Sequence, residues 1–241
     1  MNQILVELQE SMGNDKSVAN SAWTSSFDKS KRETKTEEQI ADLVKRLAKD
    51  GHSTPFESVV FRFWMRIPIF TDRQIMTHRI ASHSGLSGRY RTMPTDYYEL
   101  PDDIDDIIQK VDKLPNIFPT PKSPNPEWNI FEAYYESCEI ATNNYKLSID
   151  KLKHYEKQGE ITNQEYKRCR EILRGQLPTA GMTERTTIMN LRSFANFQKL
   201  RNSDHAQPEI REVAKKMLDE VIKENICPIA IQALQEKNWV I

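Results

Sequence analysis

Ser58-Val59-Val60-Phe61-Arg62-Phe63-Trp64-Met65-Arg66-Ile67 alternates along its length, with Phe61, Phe63, Met65 and Ile67 on one face and Arg62, Trp64 and Arg66 on the other. A period of two belongs to a strand, because successive side chains leave a pleated backbone in opposite directions. One face is apolar, the other wet or partly covered, and Pro68 marks the end. On both sides of this strand the period changes to that of a helix. Upstream, Ile40, Leu43, Val44 and Leu47 recur at helical intervals over 36–49. Thr36 and Gln39 have capping-box spacing, and Gly51 can terminate the helix. Downstream, 70–81 read as a helix with Thr71 or Asp72 near the cap, and the polar, Ser-, Gly- and Arg-rich stretch 83–95 reads as a loop. Helical patterns return over 128–157, after the Thr162/Glu165 capping box, and over 207–224, where Pro208 suits the first turn. Five of the twelve prolines fall in 115–126, which predicts an irregular surface connection. The expected class is α+β, mostly helical with a small sheet, in a single domain spanning 1–241.

Bulk composition narrows the function. With 38% hydrophobic and 29% charged residues a core is possible, but the surface must be heavily charged. A net charge of −1 argues against non-specific nucleic-acid binding, which needs a broad cationic surface. The seven glycines form no Walker or Rossmann loop. Cys138, Cys169 and Cys227 are odd in number and unpaired in motif, so they read as buried free thiols in a reducing compartment rather than a disulfide or zinc framework. No metal site is expected. MNQILVELQE lacks the cationic and apolar regions of a signal peptide, and no stretch is apolar for long enough to span a bilayer. A soluble cytoplasmic protein is expected.

Two segments break the amphipathic pattern. The first runs through Arg73, Gln74, Thr77, His78 and Arg79 to Ser82, Ser84, Ser87, Arg89, Tyr90 and Arg91. The second runs through Asn190, Arg192, Ser193 and Asn196 to Arg201, Ser203, Asp204 and His205. Most charged residues are simply solvated. Here, however, arginines are interleaved with Asn, Gln, Ser and His, and lysine is nearly absent. Arginine offers a planar fork of donors for phosphate, imide or carboxylate, and serine hydroxyls with loop N–H groups complete such cradles. A phosphorylated ligand is expected. His78 and His83 stand too far from carboxylates or thiols for a zinc site, and Ser87 lacks the hydrolase elbow around it, so it reads as a hydrogen-bonding ligand.

Together these residues resemble the flavin-dependent thymidylate synthases, whose motif is Arg-His-Arg, seven residues, then Ser. The chain has Thr77-His78-Arg79, seven residues, then Ser87-Gly88-Arg89-Tyr90. Met12-Gly13-Asn14-Asp15, Ser26-Phe27, Gly51-His52-x-Thr54-Pro55-Phe56-Glu57, Pro68-Ile69-Phe70, Arg73-Gln74, Arg174 with Leu177-Pro178, Asn190-x-Arg192-Ser193, Asn196, Leu200-Arg201 and His205-Ala206-Gln207 follow the family in order. The resemblance implies a central mixed sheet flanked by helices and a homotetramer with shared active sites. It implies conversion of dUMP to dTMP, with methylenetetrahydrofolate as one-carbon donor, NADPH or NADH as reductant and FAD as cofactor. Thr54, Glu57, Thr77, His78, Arg79, Asn190, Arg192, Asn196 and His205, helped by Ser26 and His52, would meet FAD. Gln74, Gly85, Ser87, Arg89, Arg174 and Arg201 would bind dUMP, with Ser87 and Arg89 on the phosphate and Arg201 on the uracil edge. Arg201 and Ser87 are the residues expected to carry catalysis, and no cysteine attacks the pyrimidine in this family.

The chain departs from the motif at four places. Thr77 replaces its first arginine, Gly85 stands where glutamate is common, Ser84 where asparagine is common, and His83 lies among them. These changes leave open flavin-dependent hydroxymethylation of dUMP or dCMP; and because Arg-rich loops can grip phosphate without doing chemistry, a non-catalytic nucleotide- or RNA-binding protein on the same scaffold is the other reading. The balanced charge weighs against the last.

Overall fold

A computed structural model describes residues 4–114 and 129–238, and the proline-rich connection expected near 115–126 lies outside them. The elements run β1 (Leu5–Met12), α1 (Asp15–Trp23), α2 (Lys29–Glu33), α3 (Glu37–Asp50), β2 (Val60–Pro68), α4 (Ile69–Ile75), β3 (Ser82–Gly85), α5 (Asp102–Asp112), α6 (Ile130–Lys157), α7 (Asn163–Leu173), β4 (Met182–Asn190), α8 (Leu191–Arg201), α9 (Pro208–Lys223) and α10 (Pro228–Glu236). The class is α+β, as expected. The elements gather into two compact units: a larger one from 4–67, 71–85 and 184–238, and a smaller one from 68–70, 86–114 and 129–183.

The larger unit is built on a four-stranded sheet ordered β1-β2-β4-β3, with β1–β2 and β3–β4 antiparallel. The alternation read in β2 is the alternation observed: Phe61, Phe63, Met65 and Ile67 are fully buried, while Arg62, Trp64 and Arg66 are half-buried. Phe194 of α8 lies edge-on to Phe61 at 5.2 Å and stacks on Phe63 at 6.0 Å, which fastens α8 to the sheet. Such ring pairs contribute about 0.5–1.5 kcal/mol each beyond their buried area. The remaining helices of this unit close the core, with α9 on β1, α10 on α3 and α1 on α3. Gly13 has φ +86°, and a Cβ there would meet the Ser58 carbonyl oxygen at 2.6 Å, so only glycine fits between β1 and α1.

Both capping boxes read from the sequence form, at Thr36/Gln39 and Thr162/Glu165, and Gly51 closes α3 in the left-handed conformation. Two expectations give way. The helix expected over 70–81 stops at Ile75, and the motif residues beyond it follow in an irregular turn. The stretch expected to be a loop begins with β3, whose Ser82, His83, Ser84 and Gly85 pair with Ile188, Thr187, Thr186 and Arg185. Strand pairing overrides local composition here, because the ladder satisfies backbone groups that a polar sequence would leave to water.

In the smaller unit α6 carries the core through Cys138, Tyr145 and Ile149. Its tyrosines tie down the chain that precedes α5: the Tyr145 hydroxyl accepts from Met93 N at 3.1 Å, Tyr135 from Leu100 N at 3.2 Å, and Tyr134 donates to the Tyr98 carbonyl at 2.5 Å. Cys138 and Cys227 are the buried free thiols expected, and burial pushes the Cys227 thiol up to about 12. Cys169 is exposed instead. Among the described residues no helix is long and apolar enough to cross a membrane.

Candidate active site

Helix α8 divides its residues by the helical period. Leu191, Phe194, Ala195, Phe197 and Gln198 face the core, and Arg192, Asn196 and Lys199 face outward. Asn190 caps it, its side-chain oxygen accepting from Ser193 N at 2.8 Å. The outward face borders two openings. A cleft of about 480 Å³ is lined by Thr77, His78, Arg79 and Ile80 from the turn after α4 and by Arg192, Ser193, Asn196, Leu200 and Arg201 from α8. A smaller one of about 220 Å³ shares Arg192 and Asn196 and adds Ser53 and Lys199. The larger volume is that of an ordinary small-molecule site, roughly 300–1,000 Å³.

Within the cleft Arg201 Nε donates to His78 Nε2 at 3.0 Å, and Arg201 Nη2 donates to Thr77 Oγ1 at 3.1 Å. An arginine cannot accept, so His78 Nε2 is the bare nitrogen and its proton sits on Nδ1. Burial, reinforced by the Arg201 charge and by His83, lowers the His78 pKa to about 4 and keeps the ring neutral. The ring meets Phe197 edge-on at 4.8 Å. His83 places Nε2 3.3 Å from the His78 carbonyl and Nδ1 3.1 Å from Thr187 Oγ1, so β3 braces the motif turn against β4. Arg192 is paired with Glu57 at 2.6 Å. Arg79 and Arg201 have no carboxylate partner among the described residues, which leaves the cleft cationic.

The structure therefore brings Thr77, His78, Arg79, Arg192, Asn196 and Arg201 to one cleft, with Glu57 joined to it through Arg192. Ser26, His52, Thr54 and His205 are exposed and line neither opening. Gln74 is half-buried and donates to Gln207 at 2.7 Å. Gly85 ends β3 beside the Arg185 guanidinium, 3.5 Å from where its Cβ would be. Ser87, Arg89 and Arg174 belong to the smaller unit. There the Ser87 hydroxyl accepts from Arg89 N at 3.3 Å, Arg89 pairs with Glu171 at 2.9 Å, and Gly88 leaves room for the Arg174 side chain, whose Cδ would lie 2.7 Å from an added Cβ.

Several residues escaped the sequence reading. Arg185 is buried against Asp72, with Nη2 to Oδ2 at 2.7 Å and Nε bonded to Oδ1. The signal was present: Arg185 occupies an inward position of β4, between buried Thr183 and Thr187, and a charge in that register needs a buried counter-ion. Arg170 of α7 is buried, bonded to the carbonyls of Gly88 (3.0 Å) and Arg89, and holds the segment that carries Ser87. Lys199 becomes visible only once 191–201 is read as a helix.

Comparison with known proteins follows the same line. The sequence model of the family described as thymidylate synthase complementing protein matches residues 7–229. A flavin-dependent thymidylate synthase from Kosmotoga olearia is 31% identical over 234 residues, covering 95% of this chain and 88% of that protein. The chain belongs to the flavin-dependent thymidylate synthases. A second member of this enzyme family, from Pseudothermotoga lettingae, is 32% identical, covering 92% of this chain and 86% of that one. Crystal structures of a UMP/dUMP methylase from Streptomyces cacaoi, bound with 5-Br dUMP or 5-Br UMP, share the fold. Their TM-scores are 0.67 and 0.68 at 24% identity, covering 99% and 100% of this chain and 97% of each of those chains. The cleft suits a flavin of the kind that the family name specifies. It offers arginine forks, an asparagine amide and the Ser193 hydroxyl, a buried oxygen that has no hydrogen-bond partner among the described residues.

Proposed function

We propose that this chain methylates dUMP to dTMP, with methylenetetrahydrofolate as one-carbon donor, NADPH or NADH as reductant and FAD as cofactor, in the cytoplasm and as a homotetramer. The observation that carries the reading is the gathering of Thr77, His78, Arg79, Arg192, Asn196 and Arg201 at one cationic cleft, in a chain whose family match runs through 7–229. The same match, spanning both units, supports treating 1–241 as one family domain.

When bound, the flavin supplies the reducing equivalents, so that folate leaves as tetrahydrofolate. The protein's own residues hold and polarise. Arg79, Arg192 and Asn196 present donors to the cofactor, with Glu57 fixing the Arg192 fork. Asn190 orients the first turn of α8, and Thr54, Ser26, His52 and His205 keep the contacts that the family resemblance gives them. Arg201 presents a full positive charge to the uracil edge, where it would stabilise negative charge developing on the ring as C5 is made nucleophilic toward the one-carbon donor. Ser87 and Arg89 keep the phosphate role, and Gln74, Gly85 and Arg174 remain substrate contacts.

One incubation tests the reading. Purified protein, FAD, NADPH, methylenetetrahydrofolate and dUMP are mixed and the nucleotide is identified by mass spectrometry. Appearance of dTMP is expected. Hydroxymethylated dUMP, or unchanged dUMP with turnover of dCMP, would establish the alternative chemistry that the missing carboxylate at Gly85 leaves open. A colourless protein that takes up no flavin would sink every catalytic reading.

A further inference from the structure

Among the described residues carboxylates hold Arg62 (Glu10), Arg89 and Arg168 (both Glu171), Arg185 (Asp72), Arg192 (Glu57) and Arg211 (Asp204). Arg201 is held differently. Its two partners are a neutral imidazole and a neutral hydroxyl, at 3.0 and 3.1 Å. Thr77 can only accept in this contact, because its hydroxyl proton is committed to the Gln74 carbonyl at 2.7 Å. His78 can only accept as well, since its Nε2 faces a guanidinium. A carboxylate in either place would orient Arg201 but cancel its charge. These two orient it and leave the charge whole, with three of its five N–H donors unspent among the described residues, at the edge of the cleft.

We propose that Thr77 is a positioning residue for Arg201: its hydroxyl, with the His78 imidazole, aims an uncompensated guanidinium at an anionic nucleotide in the cleft. The proposal rests on the reading of Arg201 as a contact of dUMP and explains two departures from the family motif together. An arginine at position 77 would set two guanidiniums side by side and could accept nothing from Arg201. Threonine converts that position from a competing cation into an acceptor. His83 completes the support, since its ring holds the His78 carbonyl and is itself held by Thr187 on β4. The turn that carries Thr77 and His78 is thereby anchored to the sheet, although α4 ends two residues before it.

The experiment is a titration of FAD-loaded protein with dUMP, read by the perturbation of flavin absorbance, in the parent and in Thr77→Ser, Thr77→Val, Thr77→Arg and Arg201→Ala. Melting temperature and flavin content confirm that each variant is folded. Serine restores the acceptor, so Thr77→Ser should bind within about threefold of the parent. Valine has the shape without the oxygen; a lost hydrogen bond to a charged group should weaken binding roughly tenfold or more. Thr77→Arg should be weaker still. Thr77→Ala carries the same comparison with serine should the valine variant fail to fold. Parent-like binding by Thr77→Val, or a Thr77→Ser as weak as Thr77→Val, overturns the proposal while a weak Arg201→Ala leaves the nucleotide reading intact. Parent-like binding by Arg201→Ala removes that reading, and the proposal with it.

Discussion

At the residue scale the site is set by which charges are neutralised and which are not. Arg192 spends its charge on Glu57, whereas Arg201 keeps its own. Replacing Arg201 with alanine should therefore lower kcat by about 10²–10³, the usual cost of deleting one donor aimed at developing negative charge. Steady-state rates at saturating dUMP read this directly, and a variant that kept most of its rate would move the role elsewhere. His78 gives a pH signature of its own. Its folded pKa of about 4 lies below the ordinary imidazole value of 6.5. Below pH 6.5 the unfolded chain takes up a proton that the folded chain refuses, so this residue makes stability fall as pH drops from about 6.5 to about 4 and adds no further loss below. Urea midpoints across that window should show the decline, and His78→Gln should make it shallower.

At the element scale two helices decide whether the chemistry is in place. Helix α8 is pinned through Phe194 to Phe61 and Phe63, and its other side is the cleft wall. Phe194→Ala removes that pin and should cost about 3–5 kcal/mol of stability by chemical denaturation. Flavin affinity should fall in the same variant, because the cleft residues ride on the helix that loosens. In the smaller unit, α7 contributes Arg170, which spans the carbonyls of Gly88 and Arg89 and lies 5.2 Å from the Tyr166 ring centre. Arg170→Ala should free the segment that carries Ser87 and Arg89, raising KM for dUMP several-fold with a smaller change in kcat. Equal losses in both parameters would show that Arg170 does more than hold the loop.

At the scale of the whole molecule the family match from 7 to 229 passes through both compact units. The proposed assembly is four copies, and light scattering should return the mass of a tetramer. A monomer with full activity would contradict shared active sites. The α+β class, the alternating strand β2, both capping boxes and the long helices α6 and α9 were legible in the sequence. So was membership in the family, through Thr77-His78-Arg79 and Ser87 and the blocks around them. These are local properties: a period of two or of 3.6, a cap three residues from its partner, a motif at fixed spacing. What only tertiary structure decided involves residues far apart in the chain. The helix expected through residue 81 ends at Ile75, and the expected loop begins as β3, because a partner strand lies about a hundred residues away at Arg185–Ile188. Asp72 meets Arg185, Arg170 meets Gly88, and Arg201 meets Thr77 and His78 for the same reason. Periodicity tells a residue which way to face; only the folded chain decides what it faces, and the charge left on Arg201 depends on that.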